Sequence, residues 1–288
     1  VLLQNVCDAI KSSGEKDISL LDLACGKGGD IPKWRDNEIS VCVGIDVIGN
    51  NILDPIDGAC ERYNHYKKNP RKDKKLPEAY FLKGDVSKNI NNGDAFADQR
   101  FKDLFGELWN ISNLGTNFSQ KKFDIISVMF AIHYFFGSKK TLDILIDNID
   151  NNLKKGGYLI GTSFDGKRVH DLMKTNPHNE YKQYKSGQLI WKIKKNYTKS
   201  EFPEDVDSLG LGIDVLIYSI GKNIPEFLVN YNYLIKRLEE RNIRLLSKET
   251  MENMDLPQDV SNKKLSVGSF ESVYNKLEKQ KDNQIYSD

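Results

Sequence analysis

The chain has 288 residues with 42 Lys and Arg against 41 Asp and Glu, a formal net charge of +1, so any attraction to a polyanion must come from a local patch. Hydrophobic residues make up 39%, with 13 Phe, 13 Tyr and 3 Trp; this excludes wholesale disorder, and no apolar run reaches the roughly 18 residues of a membrane span. Cys7, Cys25, Cys42 and Cys60 form no CxxC pair, which points away from a disulfide framework or zinc module and toward a reducing, intracellular compartment. The chain begins with Val1 and no signal peptide precedes the first strand, so a soluble piece of a longer polypeptide is expected.

Short apolar runs alternate with helix-like stretches through the first half, the rhythm of a doubly wound parallel α/β sheet. Strands are predicted at 18–23, 41–47, 79–86, 123–130 and 158–164, with helices opening at 30–35 and running over 56–66 and 141–153. In the last of these, Leu142, Leu145, Ile146, Ile149 and Leu153 form one stripe, and Lys154-Lys155-Gly156-Gly157 provides a stop. Beyond about 175 the rhythm changes. Strands at 189–196 and 212–220 flank a polar loop and suggest an antiparallel insertion over about 176–221, after which a helix at 225–242 and a strand at 243–247 resume the pattern. The chain thus reads as one domain over 1–288, with its core at about 1–175 and 222–250 and an unassigned tail at 251–288. No internal repeat is present.

The strongest local signal is Leu21-Asp22-Leu23-Ala24-Cys25-Gly26-Lys27-Gly28-Gly29-Asp30, where the first strand turns into the first helix. It fits neither GxxxxGK[ST] nor GxGxxG, which disfavours a P-loop or an NAD dehydrogenase. Asp46 ends the second strand, where an acid can accept ribose hydroxyls, and Asp85 ends the third, where a carboxylate can take an adenine amine. Together these strand ends describe an adenosine pocket.

The segment Leu21 to Trp34 (LDLACGKGGDIPKW) resembles the S-adenosylmethionine loop of mRNA cap guanine-N7 methyltransferases. Phe130-Ala131-Ile132-His133-Tyr134 resembles the same family's segment after strand four, and Ile224 to Val229 (IPEFLV) resembles its Pro-Glu-aromatic-Leu-Val element, read here as a helix start. Asp57 to Tyr63 and Leu209 to Gly221 look most like the version in multifunctional capping enzymes of large DNA viruses. The resemblance implies a Rossmann-like class I S-adenosylmethionine-dependent methyltransferase fold with a small antiparallel β insertion. The implied activity is methyl transfer to N7 of the cap guanine of mRNA, with S-adenosylhomocysteine as product and no metal. It also implies a capped mRNA 5′ end as partner, triphosphatase and guanylyltransferase modules upstream in the same polypeptide, a stimulatory subunit, and work in the host cytoplasm or virion.

Carried over residue by residue, the resemblance implies that Gly26 and Lys27 meet the methionine moiety, with Lys27 at its carboxylate. Asp46 would hold the ribose, and Asp85, Val86 and Ser87 the adenine. Phe130 would line the wall between cofactor and cap, and His133, Tyr134 and Glu226 would grip the cap guanine. Because guanine N7 carries a free lone pair, no general base is expected; Phe130, His133, Tyr134 and Glu226 would act by alignment. The family's late cap-site tyrosine has no match, Tyr274 and Tyr286 being the only late tyrosines. Lys182 to Ser200 carries six lysines and no acid among aromatics, which makes Lys192, Lys194 and Lys195 candidates for RNA phosphate, with 64–75 as a weaker second patch. Two other readings stay open: a methyltransferase acting on another RNA position or a small molecule, and an inactive cap-binding or stimulatory module.

Overall fold

The computed structural model describes residues 2–110, 122–176, 178–218 and 221–256, the side chains of 107–110 excepted. They divide into two compact units. The smaller opens with helix α1 (Leu2–Ser12), whose Asn5 amide donates to the carbonyls of Met254 and Asp255 (2.8 Å each).

The larger unit, from Asp17 to Arg241, is built on a parallel sheet of β1 (Ser19–Leu23), β2 (Val41–Asp46), β3 (Glu78–Lys83), β4 (Phe123–Met129) and β5 (Leu153–Thr162), in the order β3-β2-β1-β4-β5. Helices α2 (Ile31–Asp36), α3 (Gly49–Leu53), α4 (Ala59–Lys68), α5 (Gln99–Asn110) and α6 (Lys139–Asn152) connect the strands. The strands read as unbroken apolar runs because both faces are covered: Leu20, Leu21, Leu23, Ile125 and Ile126 are all fully buried. The strand order reverses between β1 and β4, and a doubly wound sheet binds its ligand at the carboxyl ends beside such a switch. All five predicted core strands form. The predicted helix at 56–66 forms as α4 but starts only at Ala59, because Pro55 opens a turn that runs to Gly58; α3, just before that turn, is not among the predicted helices. The stripe on α6 is buried as expected, but its predicted stop is already strand, β5 starting at Leu153.

After α7 (Gly166–Lys174) comes an antiparallel sheet of β6 (Glu180–Lys185), β7 (Gln188–Lys195), β8 (Gly212–Ile217) and β9 (Asn223–Phe227), in chain order. Ser186 and Gly187 join β6 to β7 with φ of 50° and 79°, the paired positive angles of a two-residue hairpin. One face of this sheet packs Ile193, Ile213 and Val215 against Val169 and Met173 of α7, with Leu211 and Leu228. Two expectations fail here. The insertion runs past 221, and Pro225 and Glu226 lie in the edge strand β9 rather than in a helix; α8 (Tyr231–Glu239) begins only after Asn230, whose side chain accepts from the Tyr233 amide (3.0 Å). Proline fits an edge strand, where the missing N–H leaves no ladder bond unmade. The predicted strand at 243–247 does not form: these residues, in the smaller unit, run without sheet pairing to α9 (Lys248–Asn253).

The segment that follows β4 packs on the antiparallel sheet. A Cβ on Gly137, which ends the turn at 132–137, would lie 2.8 Å from the Phe227 ring of β9, and Gly210 N–H donates to the Phe136 carbonyl (2.9 Å). No helix among the described residues is long and apolar enough to cross a membrane.

Candidate active site

The glycine-rich loop leaves β1 at the switch point and is held against β2, with the Ala24 and Cys25 amides both donating to the Ile45 carbonyl (2.8 and 3.0 Å). Gly26 has φ +56°, and a Cβ built on it would meet nothing within 4 Å, so its outer side faces open space where a ligand can approach the backbone. Its amide donates to Asp46 Oδ2 (2.9 Å). Asp46 Oδ1 accepts from Ile48 N (2.8 Å) and Asn51 Nδ2 (3.0 Å). Three of the carboxylate's roughly four acceptor positions are therefore committed within the protein, leaving about one for a hydroxyl. Asn51 is a site residue the sequence reading missed; its only signal is its place in the helix that follows Asp46.

Next to Asp46 along the sheet edge, Asp85 Oδ1 accepts from Ser87 N (3.1 Å) and Oγ (2.6 Å), while Lys88 Nζ stands 3.5 Å from Oδ2. The 85–88 turn, with Val86 buried, is pinned from beneath by Asn148 of α6. Its amide donates to the Val86 and Lys88 carbonyls (3.0 and 2.9 Å) and its oxygen accepts from Ile90 N (3.1 Å). Beneath the glycine-rich loop, Asp22 is buried with Ser127 Oγ donating to it (2.9 Å), and burial pushes its carboxyl up to about 7.

Beyond β4 the chain turns through Phe130, whose φ is +52° and whose ring is 55% exposed. Its amide donates to the Thr162 carbonyl (3.0 Å), which fixes this left-handed position. A short 3₁₀ turn, Ile132–Gly137, then presents His133 and Tyr134 with ring centroids 4.2 Å apart. His133 is 6% exposed and Glu226, arriving from β9, is 7% exposed; Nε2 and Oε1 stand 3.7 Å apart, outside hydrogen-bonding distance. Both imidazole nitrogens and Glu226 Oε2 lack a hydrogen-bond partner among the described residues. Burial pushes His133 down to about 4 and Glu226 up to about 7. Tyr134, 47% exposed, is raised by burial and then by the charges of Glu226 and Asp46. Orphaned polar atoms this deeply buried are costly unless something else satisfies them.

Of the predicted residues, Gly26, Lys27, Asp46, Asp85, Val86 and Ser87 lie at the carboxyl ends of β1 to β3, and His133 and Tyr134, in the turn beyond β4, meet Glu226 of β9, with Phe130 at the start of that turn. The three lysines of β7 do not share one face. Lys192 and Lys194 lie on one side, with Lys192 Nζ 3.4 Å from Glu180 and Lys194 in register with Glu180 and Asp214. Lys195 lies on the other, its Nζ 5.0 Å from the Tyr197 ring centre. Tyr274 and Tyr286 lie outside the described residues. Among those described, no group of three or more His, Cys, Asp or Glu side chains is placed to hold a metal ion.

The family model for the mRNA (guanine-N(7))-methyltransferase domain matches residues 1–285. The chain belongs to that family. This methyltransferase domain is 30% identical over 231 residues to a probable mRNA-capping enzyme of Acanthamoeba polyphaga mimivirus, covering 77% of this chain and 18% of that protein. It is 25% identical over 249 residues to the mRNA cap guanine-N(7) methyltransferase of Caenorhabditis elegans, covering 85% of this chain and 56% of that protein. An S-adenosylmethionine-dependent methyltransferase from Clostridium acetobutylicum superposes over 82% of this chain and 77% of that one, with TM-score 0.46 and 14% identity. The chain thus spans less than a fifth of the first of these curated relatives and little more than half of the second.

Proposed function

We propose that this chain methylates N7 of the guanine cap of mRNA, GpppN-RNA to m7GpppN-RNA, using S-adenosylmethionine. The observation that carries the reading is the buried, unsatisfied pair of His133 and Glu226 beside Tyr134, next to an adenosine-type strand edge. The edge fits the cofactor: Asp46 has acceptor capacity left for ribose, Asp85 and the Val86-Ser87 turn offer an edge for adenine, and Gly26 leaves room along the backbone. Lys27 is the cation for the methionine carboxylate. Bound there, S-adenosylmethionine supplies an electrophilic sulfonium methyl.

The protein's part is then alignment. Ionised Glu226 accepts from guanine N1–H and the exocyclic amine, a donor edge that adenine does not present, so it selects guanine. Neutral His133 donates one N–H to guanine O6 and adds no cation beside the positive charge that develops on the ring; its depressed titration keeps it neutral at working pH. Tyr134 and Phe130 supply aromatic faces, stacking typically being worth ~1–3 kcal/mol per base. N7 has no proton to lose, so no residue acts as a base. Lys192, Lys194 and Lys195 are the candidates for RNA phosphate, the first two beside the acids Glu180 and Asp214 and the third on the opposite face beside Tyr197. Upstream triphosphatase and guanylyltransferase modules, a stimulatory subunit, and a place in host cytoplasm or virion complete the reading.

The test is transfer of labelled methyl from S-adenosylmethionine to GpppA-ended RNA, with an m7GpppA-ended control. Label at guanine N7 that is absent from the control is the expected result. Label in both RNAs would mean a different acceptor.

A further inference from the structure

The cation proposed for the methionine carboxylate does not stand alone. Lys27 Nζ lies 2.5 and 2.6 Å from the two oxygens of Asp57, which belongs to a different element, the turn between α3 and α4. That turn is tightly fixed. Asp54 Oδ1 accepts from Ile56 N (2.9 Å) and Asp57 N (3.2 Å), and Arg62 Nε donates to the Asp57 carbonyl (2.9 Å). At Gly58, the next residue, a Cβ would fall 2.7 Å from Asp54 backbone atoms. Asp30, the other acid beside Lys27 in the loop, is held by Lys33 (2.6 Å). Both charged ends of the Lys27–Asp57 pair remain part-exposed, at 39% and 44%.

We infer that Asp57 and Lys27 together hold the amino-acid end of the cofactor, Lys27 against its carboxylate and Asp57 against its ammonium. The inference rests on the proposed placement of S-adenosylmethionine at the glycine-rich loop. A lysine ammonium has three donors and a carboxylate about four acceptor positions, so each keeps capacity after pairing with the other. A zwitterion laid alongside a fixed Lys–Asp pair brings opposite charges together at both contacts and adds no net charge to the site. Lys27 alone would accept any carboxylate; with Asp57 the pair also demands an ammonium beside it.

The test is calorimetric binding of three ligands to the whole chain. They are S-adenosylhomocysteine, its analogue with hydrogen in place of the α-amino group, and 5′-methylthioadenosine, which lacks the amino-acid end altogether. The wild-type protein should bind the deaminated analogue at least about tenfold more weakly than S-adenosylhomocysteine, the worth of one hydrogen bond to a charged group. Asp57→Asn should erase that preference while leaving 5′-methylthioadenosine affinity unchanged, and Asp57→Glu should restore part of it. Equal wild-type affinity for the first two ligands would overturn the role without any variant. So would an Asp57→Asn protein that loses both S-adenosylhomocysteine and 5′-methylthioadenosine in parallel, or one that binds S-adenosylhomocysteine as well as wild type or better. Failure of the wild-type protein to bind any of the three would instead overturn the cofactor placement, and the role with it.

Discussion

Glu226 and His133 leave their ordinary titration ranges in opposite directions for one reason: burial disfavours the charged form of each. In the proposed site guanine would offer Glu226 only donors, so the ligand would select the ionised carboxylate. Affinity for GpppA should therefore rise about tenfold per pH unit up to about 7 and level off above it, as measured by calorimetry across pH 5.5 to 8.5. Glu226→Gln should bind GpppA at least about tenfold more weakly, with no such rise and with cofactor affinity intact. A flat wild-type profile would remove Glu226 from the guanine site. The side chains with local signals were legible in sequence: Asp46 at a strand end, and Lys27 between glycines. Glu226 was legible only through its motif. Asn51 orienting Asp46, Asn148 pinning the 85–88 turn and Asp57 facing Lys27 were not, because each pairing joins separate elements and no local spacing records it.

Between elements, the parallel strands announced themselves through apolar runs, but β6 and β9 did not. The Ser-Gly turn signal for the β6–β7 hairpin was present at 186–187, masked by the lysine-rich composition around it. Pro225 serves the first turn of a helix and the edge of a sheet equally well, and only pairing with β8 decides between them. The α3–α4 turn offers a sharp test of element packing. Gly58→Ala places a methyl against backbone that cannot yield like a side chain, and should cost about 1–3 kcal/mol in denaturant unfolding. Gly29→Ala, with open space around it and no left-handed φ, should stay within about 0.5 kcal/mol of wild type.

Across the whole molecule, three buried groups set the course of stability with pH. Asp22 and Glu226 hold protons up to about 7 in the folded state, whereas an unfolded chain releases them near 4, so their contribution is full below about 4 and is lost as pH rises through 7. His133, depressed to about 4, acts with the opposite sign: its contribution is full above about 6.5 and is lost as pH falls through 4. From about 4.5 to 6.5 the histidine offsets one of the two carboxyls; from 6.5 to 7 its opposition fades while the carboxyls themselves release their protons, so the two changes nearly cancel. Melting temperature should consequently decline from about pH 5 toward 7 with a nearly constant slope, and Asp22→Asn should flatten the decline. A wild-type melting temperature that climbs from pH 5 to 7 would contradict these assignments.

His133 follows a strand of the parallel sheet, and Glu226 sits on the edge strand of the antiparallel one, with Gly137 against Phe227 at the seam between them. A guanine held by both, as proposed, would act as a rivet through the two sheets. Capped RNA should therefore slow amide hydrogen exchange in β8 and β9 and in the turn after β4 by a common factor. S-adenosylhomocysteine, placed as proposed at the edge of β1 to β3 and the α3–α4 turn, should slow exchange there and leave the antiparallel sheet unchanged.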